Sequence, residues 1–278
     1  MRHKFFVLIL LTGILMTGCL MIQSPGRSVA LAETIAAQNT QEIISQIQQD
    51  DVIYLGENHD SAIIHQQQLA IITQLQQNSV DSERQLAIAF EMFQRPFQPL
   101  LNRYLAGAIN EQQLKEQTEY ETRWGFDWEF YAPILRFAKE QQIPLIALNT
   151  PGEITRKVAV SGIESLGGSD FRYIPPLTEI KLENESYRQR LEEIYQQHVA
   201  EQEGDSTDAD NFFAAQILWD ETMAEAIALY WLNHPQSQIA TLVGKAHIMY
   251  DYAIPERVAR RINQTDFKQI SCLLGEPD

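Results

Sequence analysis

Cysteine is almost absent from the 278-residue chain, which has two, Cys19 and Cys272. If Cys19 carries lipid, Cys272 is the last thiol and no intramolecular disulfide can form, so the core alone must hold the fold. Cys272 lies in KQISCLLG with no turn or helix start to activate it. It reads as a buried small hydrophobe in a last strand, not as a nucleophile. Positive charge is also scarce: 21 Lys and Arg stand against 37 Asp and Glu, a net charge of −16. Such a surface repels phosphate backbones and excludes nucleic acid as a partner. The chain has no HExxH helix, and its one long apolar run, Phe5 to Met16, is too short for an ordinary membrane span.

That run instead completes a leader. Arg2 and Lys4 precede it and Thr17 and Gly18 follow, which is the layout of a signal peptide over residues 1–18. Small residues before Cys19 resemble a bacterial lipobox, with Met16 where Leu is usual, and predict lipidation of Cys19. Plain cleavage near Ala30 or Ala32 is the alternative. Losing the leader leaves 19 basic against 37 acidic side chains, a net charge of −18. Residues 19–40 mix Ser, Pro, Gly, Ala and Gln and read as a tether from a membrane surface. Leu20 after the Cys points to an outer-membrane or periplasm-facing lipoprotein. The body is expected over residues 41–278.

Two stretches organise that body. VIYLGENHD (52–60) and ATLVGKAHIMYDY (240–252) each read as a buried strand followed by Gly, two residues and His. A buried strand delivers its end to one edge of a sheet, and Gly permits a sharp turn there. His59 and His247 are therefore expected at comparable places, in the crevice where open α/β sheets bind ligands. Further strands are expected at QLAIAFEMF, IPLIALN and FKQISCLLG, with helices between them. The alternation predicts an α/β fold, a mainly parallel sheet flanked by helices, with helical insertions at about 94–140 and 176–232. The acidic stretch EQEGDSTDAD belongs to the least ordered-looking segment, 176–210, read as a mobile insertion.

Several side chains are candidates for the crevice. Glu91 ends an apolar run and is costly to bury alone, so it should find His59, His247 or a metal. His65 lies on the helix after the first Gly-x-x-His. Trp124 belongs to an aromatic run, YETRWGFDWEFY, suited to a core under a lid or to a flat ligand. Arg156 is the expected fixed cation, for a ligand carboxylate or for Glu91. Gln216 and Asp220, one turn apart on a long helix, should reach the same pocket.

The order LGENHD with His65 downstream, AFEMF, WEFYAPILRFAKEQQIPLIALNTPGEITRKVA, QILWDETMAEAI and VGKAHIMYDYAIPERV resembles the ChaN family of haem-binding lipoproteins. That family belongs to the Tiki superfamily, with TraB-like and erythromycin-esterase-like relatives. The resemblance runs from about Val52 to the C-terminus. It implies an α/β fold, a surface lipoprotein, and a role in haem or iron uptake with a transport system as partner. Gly56, His59, His65, Glu91, Gly244 and His247 match the family motifs. Tyr250 and Tyr252 are kept in the tail, where Asp251 and Ala253 replace the usual glycines. In a haem site, Tyr250 or Tyr252 would ligate ferric iron, with His59, His65 and His247 at the polar rim, Trp124 over the ring and Arg156 on a propionate. Haem shared between protomers would make a homodimer part of the site. In a metal-dependent hydrolase of the Tiki/TraB type, His59, His247 and Glu91 would hold zinc or manganese and Glu57 would be general base. A non-catalytic surface lipoprotein is the third reading.

Overall fold

The computed structural model describes residues 29–31, 40–80, 84–201, 206, 208–249 and 252–275. The leader, Cys19 and Tyr250 lie outside them. In chain order the elements are β1 (Val29–Leu31), α1 (Thr40–Ile47), β2 (Val52–Glu57), α2 (Ala62–Val80) and β3 (Gln85–Gln94). Four helices follow: α3 (Gln98–Leu105), α4 (Glu111–Gln117), α5 (Tyr120–Arg123) and α6 (Trp128–Gln141). Then come β4 (Leu145–Asn149), α7 (Gly152–Ser161), α8 (Glu185–Glu201), α9 (Ala209–Asn233), β5 (Ser237–Gly244), α10 (Ile254–Ile262) and β6 (Gln269–Leu273). The strands form one sheet in the order β1-β6-β2-β5-β3-β4, and every pairing is parallel.

Five of these strands are the expected ones. The sixth, β1, lies in the stretch read as tether, where three residues pair with Ile270, Ser271 and Cys272. An edge strand leaves a row of backbone donors and acceptors unpaired, and β1 takes up that row on β6.

The sheet is buried on both faces, and the strand period of two sorts its side chains between them. Ile53, Leu55, Ile88 and Phe90 face a core built with α1, α2 and the helices of residues 98–141. Val52, Tyr54, Ala87 and Ala89 face the other core, with Met223, Ala224, Ile227 and Trp231 of α9 and Val258 of α10. Ala87 and Ala89 are small, which lets α9 lie close to the sheet.

The segment 176–201 differs from expectation. Tyr187, Leu191 and Ile194 are buried in a third cluster with Phe212 and Phe213 of α9. Their spacing of four and three residues is a helical stripe, outweighed in the sequence by the polar residues around it. A packed helix, not a loose insertion, therefore borders the end of the sheet.

One carboxylate ties α9 to α10. Glu221 is fully buried and meets Arg260 at 2.8 Å, Arg261 at 2.5 Å and Arg257 at 3.3 Å, and it accepts the backbone N–H of Lys181 at 3.0 Å. Removing one side of such a buried set strands charge in the interior. Glu221→Ala should lower the unfolding free energy by about 3–5 kcal/mol in urea titrations; a loss below about 1 kcal/mol, the value of a surface pair, would contradict this account.

Candidate functional site

Parallel register sets Glu57 of β2 opposite Gly244 of β5, and β3 runs along the other side of β5. Three neighbouring strands therefore end on one edge, the edge where α/β sheets take ligands. Past β2 the chain turns at once and places His59. Past β5 a single turn of 3-10 helix, Lys245–His247, places His247. Glu91 of β3 comes between them: its Oε2 accepts the Gly244 N–H at 2.7 Å, and its Oε1 lies 3.6 Å from His247 Nε2. A β-carbon on Gly244 would stand 2.9 Å from His59 Nε2 and 3.5 Å from Glu91 Oε2. Glycine is required at this point by close approach.

Each imidazole is held from behind by a buried carboxylate. His59 Nδ1 lies 2.9 Å from Glu57 Oε1, and that carboxylate also accepts from Tyr131 Oη at 2.5 Å and from Gln68 Nε2 at 2.7 Å. Burial pushes the Glu57 carboxyl up, but the hydrogen bonds from His59 and Tyr131 and the charges of His59 and His65 outweigh it and hold it below the usual range. His247 Nδ1 lies 2.6 Å from Asp220 Oδ1, whose other oxygen accepts from Tyr187 Oη at 2.5 Å. Burial pulls the His247 imidazole down, yet Glu91 and Asp220 together raise it to about 9. For His59, burial acts downward while the Glu57 hydrogen bond and the Glu91 charge raise it overall. In both arms the second nitrogen, Nε2, is the one turned towards Glu91.

The structure thus brings His59, His247 and Glu91 together. Among the described residues, however, no group of three or more His, Cys, Asp and Glu side chains is arranged to hold a metal ion. Glu57, expected as a general base, stands behind His59 and orients it. His65 is buried, with Nδ1 3.0 Å from Gln68 Oε1 and Nε2 3.2 Å from the His59 carbonyl, and it stacks on Phe130. It braces the His59 turn from inside and is no part of a rim. Trp124 does cover the mouth: its ring meets His59 edge-on at 4.7 Å, with Phe126 at 5.1 Å.

Arg156 is exposed on α7, where its charge is felt by Glu153, while Glu91 is occupied by Gly244 and His247. The cation in the turn itself is half-buried Lys245, which burial pulls below its usual range against the opposing charge of Asp60. It was legible inside the GKAH motif and overlooked beside the histidine. Tyr252 lies partly buried 6.4 Å from the Tyr187 ring, against the outer end of the His247 arm. Asp220 reaches the site as expected, whereas Gln216 is buried one turn away. Tyr187, Tyr131 and Gln68 were missed as partners. The residues present suit a flat, largely apolar group with a polar centre: half-buried Trp124 and Phe126 stand at a partly exposed imidazole, and buried Trp219 Nε1, beside His247, has no acceptor among the described residues.

A His raised from 6.5 to about 9 contributes stability that is fully present below pH 6.5 and is lost as pH rises through about 9. Urea titrations should therefore show unfolding free energy falling across that window, by on the order of 3 kcal/mol. Asp220→Asn should flatten the slope; stability constant or rising from pH 7 to 9 would refute the buried His247 pair.

The chain matches the family model described as haem-binding uptake, Tiki superfamily, ChaN, over residues 43–258. Among solved structures it is similar to ChaN of Campylobacter jejuni, described as binding haem cofacially, with a TM-score of 0.64 and 17% identity over 86% of this chain and 87% of that one. An erythromycin esterase variant in its open conformation aligns with a TM-score of 0.47 and 12% identity, over 83% of this chain and 72% of that one. Among curated proteins, RETICULATA-RELATED 5 of Arabidopsis thaliana, a chloroplastic protein, is 31% identical over 132 residues. That match takes in 45% of this chain and spans only 17% of the plant protein. With the family model running from α1 into α10, the chain belongs to the ChaN haem-binding uptake family of the Tiki superfamily.

Proposed function

We propose that this protein binds haem at the ends of β2, β5 and β3, as a lipid-anchored member of a haem or iron uptake route. The observation that carries the reading is the pairing of half-buried aromatic faces, Trp124 and Phe126, with the partly exposed His59 imidazole, in a chain whose family is one of haem-binding uptake. Haem supplies a flat apolar ring with an iron at its centre and charged edges. Trp124 and Phe126 would take the ring, His59 and His247 would offer polar contacts, and Lys245 would meet a carboxylate edge. Tyr250 and Tyr252 are the candidate iron ligands. Cofacial binding as in the Campylobacter protein would make a second protomer part of the site. Lipid on Cys19 would hold the body at a membrane, outward of the cytoplasm.

A second reading is favoured by the two carboxylate-backed imidazoles. Two oriented imidazoles flanking Glu91, with His247 held protonated up to about pH 9 and so able to act as an acid, form an arrangement that can move protons to and from a bound ester or amide; a zinc or manganese ion would have to displace those protons. Glu57 then acts as the orienting group of His59.

One sample separates the readings. Hemin added to the mature chain should produce a saturating Soret band, diminished when Tyr250 and Tyr252 are both changed to Phe; no spectral change removes haem. Zinc or manganese at about one per chain after purification without chelator, lost in His59→Ala, would instead support the metal-dependent hydrolase. A globomycin-sensitive mobility shift, absent in Cys19→Ala, tests the anchor.

A further inference from the structure

Glu221, the buried carboxylate between α9 and α10, is outnumbered. Arg257, Arg260 and Arg261 all face it, so three guanidiniums meet one buried carboxylate and two positive charges are left over. Among the described residues, the one other acid within ion-pair reach of them is Glu256, 46% exposed, at 3.7 Å from Arg257 and 4.0 Å from Arg260. A solvated carboxylate at such distances offsets little buried charge. We infer that this cluster binds a phosphate group, free or as a small monoester, on the open edge of Arg261.

Two of the arginines are largely satisfied. Arg257 gives Nη1 to the carbonyls of Tyr252 and Ala253, and Arg260 gives Nη2 to both oxygens of Glu221 at 2.8 Å and Nη1 to the Glu179 carbonyl at 3.3 Å. Arg261 is engaged on one side only: its Nη1 stands 2.5 Å from Glu221 Oε2 and 3.3 Å from the Arg257 carbonyl. Its Nε and Nη2 are buried and have no acceptor among the described residues, and Nε of Arg260 likewise lacks one. Nε and Nη2 share one edge of the guanidinium plane, and their parallel N–H bonds form the fork that takes two oxygens of one anion. The Arg261 side chain is only 8% exposed, so bulk water does not fill that fork. A buried charged donor without a partner calls for one from outside the chain.

Charge selects the anion. A guanidinium keeps its proton inside a protein, so this excess is not relieved by titration. A phosphate group carries about −1.5 to −2 at neutral pH and matches it, whereas a carboxylate would leave charge over. Arg260, 29% exposed, is the side chain that turns aside to admit the anion to a fork just under the surface. The inference draws on no residue of the imidazole mouth, so its failure and the failure of haem binding are separate outcomes.

The test is a titration of the full chain, at constant ionic strength, with inorganic phosphate, glycerol 3-phosphate and acetate, followed through the arginine Nε–H signals in proton–nitrogen correlation spectra. Inorganic phosphate should shift the Arg261 signal saturably with a Kd of about 0.1–1 mM and slow its hydrogen exchange, and acetate should bind at least about tenfold more weakly. Glycerol 3-phosphate supports the site either way: comparable binding assigns it to phosphomonoesters, and binding at least about tenfold weaker assigns it to the free ion. Arg261→Lys keeps the charge and removes the fork, so phosphate binding read through the Arg260 signal should weaken at least about tenfold. No saturable shift of the Arg261 signal up to about 20 mM phosphate, equal binding of acetate, or undiminished binding in Arg261→Lys would overturn the assignment.

Discussion

The hydrogen bond from the Gly244 amide to Glu91 fastens the whole edge of the sheet. It joins the ends of β5 and β3, while strand register sets Gly244 against Glu57 on the other side. With no side chain at Gly244, His59 Nε2 and Glu91 can both reach the space above it. The two imidazoles are thus neighbours because three parallel strands end level, not because of any property of the histidines.

What the strands bring together, buried carboxylates then keep in place. Two acids would be costly to bury, and each is compensated by an imidazole in front and a tyrosine hydroxyl behind. The helices that supply the tyrosines come from different layers: Tyr131 from α6 under one face, Tyr187 from α8 beyond the end of the sheet. The site therefore depends on the packing of the entire domain. Its outer rim is made differently, from aromatic side chains in the turn after α5, where Trp124 and Phe126 pack on the core and on His59.

Much of this was legible in the chain. Apolar runs located the strands, a Gly-x-x-His turn marked two of them, and a strand's end dictates where the next two or three residues must lie, so His59, His247 and Glu91 could be gathered from the chain alone. Periodicity carries no such information about partners far along the chain. Tyr187 meets Asp220 across 33 residues and Tyr131 meets Glu57 across 74, through helix docking that local pattern does not encode. His65 was misjudged because a helix position near a motif says nothing of which face is sealed. Arg156 was chosen for its charge, but it is exposed on α7, and Lys245 stands in the turn that places His247.

Central to the account is that Glu91 acts on both imidazoles at once, raising each. The direct measurement is a nitrogen NMR titration of the His59 and His247 ring signals in the native protein and in Glu91→Gln. Both titrations should move to lower pH together in the variant. Movement of one alone, or of neither, would show that the two histidines do not share a mouth.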